Sequence, residues 1–153
     1  EFGLMASVGK VNNQLLSRLN QIDYYNFPIP KALAKEYVDS VFLPILNSCQ
    51  IHNNDLLCTF IEHISMQIIN TFSKFKISNS FLSGGGVFNN YLISRLSLLT
   101  KTELIIPSTE MIKFKESIIF GFLGVLRILN KDNCLASATG AIKNHSSGDV
   151  YIV

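Results

Sequence analysis

Apolar residues recur at helical spacing along most of the chain, interrupted by two short runs with the character of strands. A turn at Ser7–Asn12 leads into a short helix carrying Leu15, Leu16 and Leu19. Tyr24, Tyr25 and Phe27 lie beside Pro28 and Pro30, which predicts an aromatic, extended connector. A helix is expected from near Lys31, carrying Leu33, Tyr37, Val38 and Val41, with Pro44 kinking or ending it. The polar stretch Asn47–Asn54 reads as a loop. The strongest helix follows, capped by Asn53 or Asn54, with Asp55 set against the dipole and Leu57, Phe60, Ile61, Ile64, Ile68 and Phe72 on one face.

Past that helix the pattern changes. Ser80–Ser83 reads as a strand running into Gly84, Gly85 and Gly86, and Asn89 or Asn90 then caps a helix carrying Leu92, Leu96 and Leu99. Glu103–Ile106 is a second short strand, ended by Pro107. A long helix is expected from about Phe114 to Asn130. Its uninterrupted run Ile118–Leu126 predicts burial, and Gly121 and Gly124 permit close packing. Ser137–Ala141 reads as a turn and Val150–Val153 as a last strand. Strand, glycine turn, helix, strand, helix is the order of a parallel α/β unit, here rich in helix and short of strands.

Composition narrows this further. The 153 residues suit one domain, 1–153, and 48% are hydrophobic while only 16% are charged, below the usual quarter or so. Mean hydropathy is +0.29. Either the helices are deeply buried or apolar surface awaits a partner. A net charge of +2 from scattered lysines argues against nucleic acid. Three cysteines without CxxC spacing (Cys49, Cys58, Cys134) point to free thiols in a reducing compartment, the cytoplasm. No apolar run reaches the roughly 18 residues a membrane span needs. The opening Glu1-Phe2-Gly3 has no signal-peptide character. The missing initiator Met suggests a piece of a longer protein.

The candidate chemistry centres on Gly84–Gly86. Three residues without Cβ bare the backbone, and a strand feeding such a turn into a helix collects free N–H groups at one point. That suits a phosphate or a flat ring pressed on backbone; a plain tight turn is the structural alternative. No Lys follows the glycines as a P-loop requires, and Asn89 stands where the dinucleotide fingerprint needs a third glycine. His52, Cys58 and His63 share no metal-ligand spacing, and no Ser-His-Asp or Cys-His pairing is evident. His63 reads as a packed or surface residue. Glu116 is the acid of interest, placed near the start of the apolar helix, where it either compensates the dipole or accepts hydrogen bonds from a ligand hydroxyl.

These residues carry a resemblance. Gly84-Gly85-Gly86-Val87-Phe88-Asn89, Lys115-Glu116-Ser117-Ile118-Ile119-Phe120-Gly121-Phe122-Leu123-Gly124 and Thr139-Gly140-Ala141 resemble the C-terminal part of anhydro-N-acetylmuramic acid kinases. Ala6–Asn12 is similar to the family's segment after its second phosphate loop, and Pro30–Tyr37 to its proline-led Pro-Lys-Ser-x-Gly-Arg-Glu stretch. The ordered set covers nearly the whole chain.

The resemblance implies an α/β fold: the helix-rich C-terminal lobe of an actin/hexokinase/Hsp70-like (ribonuclease H-like) ATPase, with a short, partly parallel sheet. It implies an enzyme that opens the 1,6-anhydro ring of a recycled cell-wall sugar and phosphorylates O6 with ATP and Mg²⁺. Gly84, Gly85, Gly86 and Asn89 would border the adenosine, and Glu116 would contact the sugar. It further implies a homodimer, and an N-terminal lobe, not present here, holding the phosphate loop and catalytic base. No catalytic residue and no metal ligand falls in this chain on that reading, so the chain alone is expected to be inactive. Val87 and Phe88 depart from the small and polar residues usual after the glycines, and Ala32 and Ala34 replace Ser and Gly. A related sugar or acyl-phosphate kinase, or a non-catalytic nucleotide-binding module, are the alternatives.

Overall fold

A computed structural model describes residues 2–151. The chain is α/β and helix-rich, 59% helical, with a two-stranded parallel sheet. It divides into two compact units, Glu1–Ile106 and Pro107–Val153.

The first unit is built around α5 (Asn53–Lys74), against which α1 (Leu4–Ser7), α2 (Asn13–Asn20) and α6 (Asn90–Leu99) all pack. Being covered on several sides, α5 buries more than the expected stripe: Cys58, Thr59, Ile61, His63, Ser65 and Phe72 are its buried residues. Thr59 and Ser65 are tolerable there because each hydroxyl donates to a carbonyl one turn back, Asp55 O at 2.6 Å and Ile61 O at 2.9 Å. The helix cap is His52, whose Nδ1 accepts from Asn54 N at 3.3 Å, not Asn53 or Asn54. Asp55 sits in the first turn as expected and also accepts from Lys10 N at 2.7 Å. Gly9 is required beside it: a Cβ there would lie 2.1 Å from the Asn54 carbonyl oxygen.

Leu15, Leu19, Ile22 and Phe42 form a buried apolar cluster, flanked by Tyr24, Tyr25 and Tyr37. The aromatic connector is not fully extended, since Asp23–Asn26 makes a single 3-10 turn. The helix expected near Lys31 begins at Lys35, as α3 (Lys35–Tyr37). Lys31 is instead drawn back, its Nζ donating to the Tyr24 and Tyr25 carbonyls at 2.7 and 3.0 Å. Pro44 does not end the helix. It lacks the N–H that would reach Ser40, and the chain passes through a π-helical turn at Val38–Phe42 into α4 (Leu43–Asn47).

His63 is packed, at 1% exposure. Its Nδ1 lies 2.6 Å from Asn20 Oδ1 and its Nε2 2.7 Å from the Tyr25 hydroxyl. Asn20 Oδ1 also accepts from Gln67 Nε2 at 3.0 Å. The arrangement is self-consistent for a neutral imidazole with its proton on Nδ1 and Tyr25 donating to Nε2. Burial pushes His63 down to about 4 and Tyr25 up to about 12.

In the second unit, α7 (Thr109–Ile128) starts five residues before the expected Phe114, because Ser108 Oγ caps it by accepting from Met111 N at 3.2 Å. The expectation that its apolar run is buried is overturned. Ile112 is its one buried residue, while Phe114, Ile118, Phe120, Phe122, Val125 and Ile128 are all more than half exposed. Nothing closes on Gly121 or Gly124, where an added Cβ would meet open space. Apolar character sets what a helix gains on burial; it does not supply the covering surface. Ser137–Thr139 falls within a four-residue helix, α8 (Ala136–Thr139), ended by Gly140 at φ +74°. Val150 and Tyr151 form no strand, and residues 152 and 153 lie outside the described residues.

Candidate functional site

The glycine turn is set by the sheet. Strand β1 (Asn79–Phe81) runs parallel to β2 (Glu103–Ile105), and Leu82 N adds one more bond to Ile105 O at 2.9 Å. The chain then turns at Gly84, whose φ +93° and ψ 176° define a conformation open essentially to glycine alone. Gly85–Phe88 forms one 3-10 turn, closed by Val87 N donating to Gly84 O and Asn89 N to Gly86 O, both at 3.1 Å. Asn89 caps α6, its Oδ1 accepting from Leu92 N at 3.1 Å. The strand, glycines, cap and helix thus follow in the expected order, with the 3-10 turn as an extra step between glycines and helix.

The turn faces outward. A Cβ added at Gly84, Gly85 or Gly86 would meet no atom within 4 Å. Gly85 and Gly86 are exposed, and the amides of all three glycines donate to no acceptor among the described residues. Three unspent donors beside open space leave bare N–H groups available to a ligand. Just before it, the Ser83 hydroxyl is buried and has no hydrogen-bond partner among the described residues. Sequence reasoning missed Ser83. Its position between strand and glycines was visible, but an orphaned hydroxyl is a property of packing.

The helix behind the turn is fixed to α5. Arg95 makes a two-pronged ion pair with Glu62, at 2.7 and 2.9 Å, which raises the guanidinium's already high pKa. Tyr91 Oη lies 3.3 Å from Cys58 Sγ, and burial with this contact pushes Tyr91 up to about 12.

Glu116 lies in the second unit and the glycines in the first. Glu116 is exposed, and it is the eighth residue of α7 rather than a first-turn residue. The first-turn acid is Glu110, held below the usual carboxylate range by its own backbone amide and the Ser108 hydroxyl. Dipole compensation at this helix end therefore belongs to Glu110, which leaves Glu116 without that structural role. A cavity of 620 Å³ is also in this unit, among Phe120, Leu123, Arg127, Cys134, Asp149 and Tyr151; Glu116 does not line it.

A profile of the anhydro-N-acetylmuramic acid kinase family matches residues 1–153. The chain belongs to this family. Relatives named anhydro-N-acetylmuramic acid kinase include one from Coxiella burnetii (strain RSA 493 / Nine Mile phase I), 30% identical over 156 residues. Others come from Vibrio cholerae serotype O1, 29% identical over 155 residues, and Sulfurovum sp. (strain NBC37-1), 28% over 153. The alignments cover 97–98% of this chain. The chain spans 42% of the length of these relatives. Among the described residues no helix is long and apolar enough to cross a membrane.

Proposed function

We propose that this chain is the nucleotide-binding C-terminal lobe, residues 1–153, of an ATP-dependent kinase acting on anhydro-N-acetylmuramic acid. The observation that carries the reading is the outward-facing glycine turn, with three free amides beside open space. Adenine and ribose would lie on Gly84–Gly86 and be bordered by Asn89, which also caps α6. Glu116 would accept hydrogen bonds from the sugar. The intact enzyme would open the 1,6-anhydro ring and phosphorylate O6, as a cytoplasmic homodimer. The exposed apolar face of α7 supports an additional covering surface, either the N-terminal lobe or a second subunit. No cluster of three acidic, His or Cys side chains suited to a metal lies among the described residues.

Phosphoryl transfer depends on clamping phosphates and positioning a nucleophile, and on this reading the phosphate loop and the base belong to the N-terminal lobe. This chain should bind ATP and ADP without turning over. Calorimetry with both nucleotides tests the first half, and Gly85→Val, which covers the bare backbone, should abolish the heat. No binding by the wild-type chain would sink the proposal. Phosphorylation of the sugar by the isolated chain would overturn its expected inactivity.

A further inference from the structure

We infer that Gly3 is a positioning residue for the nucleotide turn: its missing Cβ leaves room for the Asn89 carboxamide that caps α6, at the junction where the glycine turn passes into that helix. The inference rests on the nucleotide-binding reading of that turn. Gly3 stands at the start of α1 with φ +83°. A Cβ built on it would lie 2.1 Å from Asn89 Oδ1, 3.0 Å from Asn89 Cγ and 2.9 Å from Tyr91 Cβ.

Two routes could relieve that clash, and each has a cost. Moving the Asn89 side chain is one. Its Oδ1 is the atom that accepts from Leu92 N, and its backbone N–H closes the turn onto Gly86 O. Displacing the side chain opens the cap of α6, and with it the support of the backbone that joins the turn to the helix. Retreat of α1 is the other. Ala6 is buried at 2% exposure, Gly9 lies against the Asn54 carbonyl, and Lys10 N is bonded to Asp55 Oδ1. The short helix is held on α5 from its far end, and Tyr91, the other atom in the clash, is fixed through Cys58. The strain therefore falls on Asn89, at the junction of the turn and α6. A glycine some eighty residues from the motif in sequence thereby shapes the surface presented to the ligand.

The test is a double-mutant cycle read by ADP calorimetry, at a temperature where circular dichroism shows each variant folded. Gly3→Ala should weaken ADP binding by about fivefold or more, the scale of a lost helix cap. In an Asn89→Ser background, which keeps a capping hydroxyl on a shorter side chain, the loss of ADP affinity on adding Gly3→Ala should be smaller, because the contact with the carboxamide is gone while that with Tyr91 Cβ remains. Phe42→Leu, in the remote apolar cluster, should lower the melting temperature and leave ADP affinity alone. If Gly3→Ala does not fold, Gly3→Asn carries the same test, because Asn tolerates positive φ while still adding a Cβ. Wild-type affinity in the Gly3 variants, an undiminished effect in the Asn89→Ser background, or an equal loss in Phe42→Leu would each overturn the inference. Absence of ADP binding by the wild-type chain would remove the nucleotide reading itself, and the inference with it.

Discussion

The two long helices differ in where their apolar surface goes. α5 has 22 residues and α7 has 20, and both are rich in Ile, Leu and Phe. α5 is enclosed by α1, α2 and α6, and carries Thr59, His63 and Ser65 inside at essentially no exposure. α7 leaves Phe120 and Ile128 each 71% exposed. Small hydroxyls that bond back onto their own helix let neighbours approach α5 closely. α7 has bulk on nearly every side, so no single face of it can be satisfied alone. Hydrophobicity measures demand for cover, and the two helices show that demand met and unmet.

The widest separation between them should come from truncating one aromatic in each environment. Phe42→Ala, in the cluster beside α5, should cost about 3–5 kcal/mol in denaturant unfolding. Phe122→Ala on α7 should cost under about 0.5 kcal/mol. Similar losses would mean that α7 is covered in solution.

Acid gives the next largest effect, confined to the α5 side. The fold holds His63 neutral, with a pKa of about 4 against 6.5 for a free imidazole. Below pH 6.5 the unfolded chain gains a proton that the folded chain refuses, so stability falls as the pH drops from 6.5 towards 4. The loss over that window is about 3 kcal/mol. Urea titrations at pH 7 and near pH 4 measure it. An unchanged midpoint would show that His63 accepts its proton without leaving the Asn20–Tyr25 pair.

A smaller effect than that of acid should have the opposite sign. Gly124→Ala on α7 puts a methyl group into open space and removes a helix-interior glycine, a gain of about 0.5–1 kcal/mol in the stability of that helix. Destabilisation, read by circular dichroism melting, would indicate a partner packed on Gly124.

Periodicity located α2, α5, α6 and both strands to within a residue or two, because each pairs a clear apolar repeat with a punctuating Asn, Ser or Pro. It failed where side-chain chemistry outweighed pattern. His52 caps α5 through Nδ1 although Asn53 and Asn54 stand next to it. The start of α7 was hidden because Thr109 and Glu110 add nothing to the apolar repeat, although Ser108 signals a cap. At the candidate site, the glycines and Asn89 were readable from residue type alone. Ser83 and Gly3 were not, since an unpartnered hydroxyl and a contact across eighty residues exist only once the chain is folded.

The π-helical turn before Pro44 has a consequence for how the apolar cluster is assembled. Wound at 3.6 residues per turn throughout, Tyr37, Val38, Val41, Phe42, Ile45 and Leu46 would fan across about half the circumference of their rod. The slower winding at Val38–Phe42 draws them into about a third. A segment that looks weakly amphipathic at the ordinary helical period therefore presents a coherent apolar edge, and the proline that forbids one hydrogen bond helps set the phase.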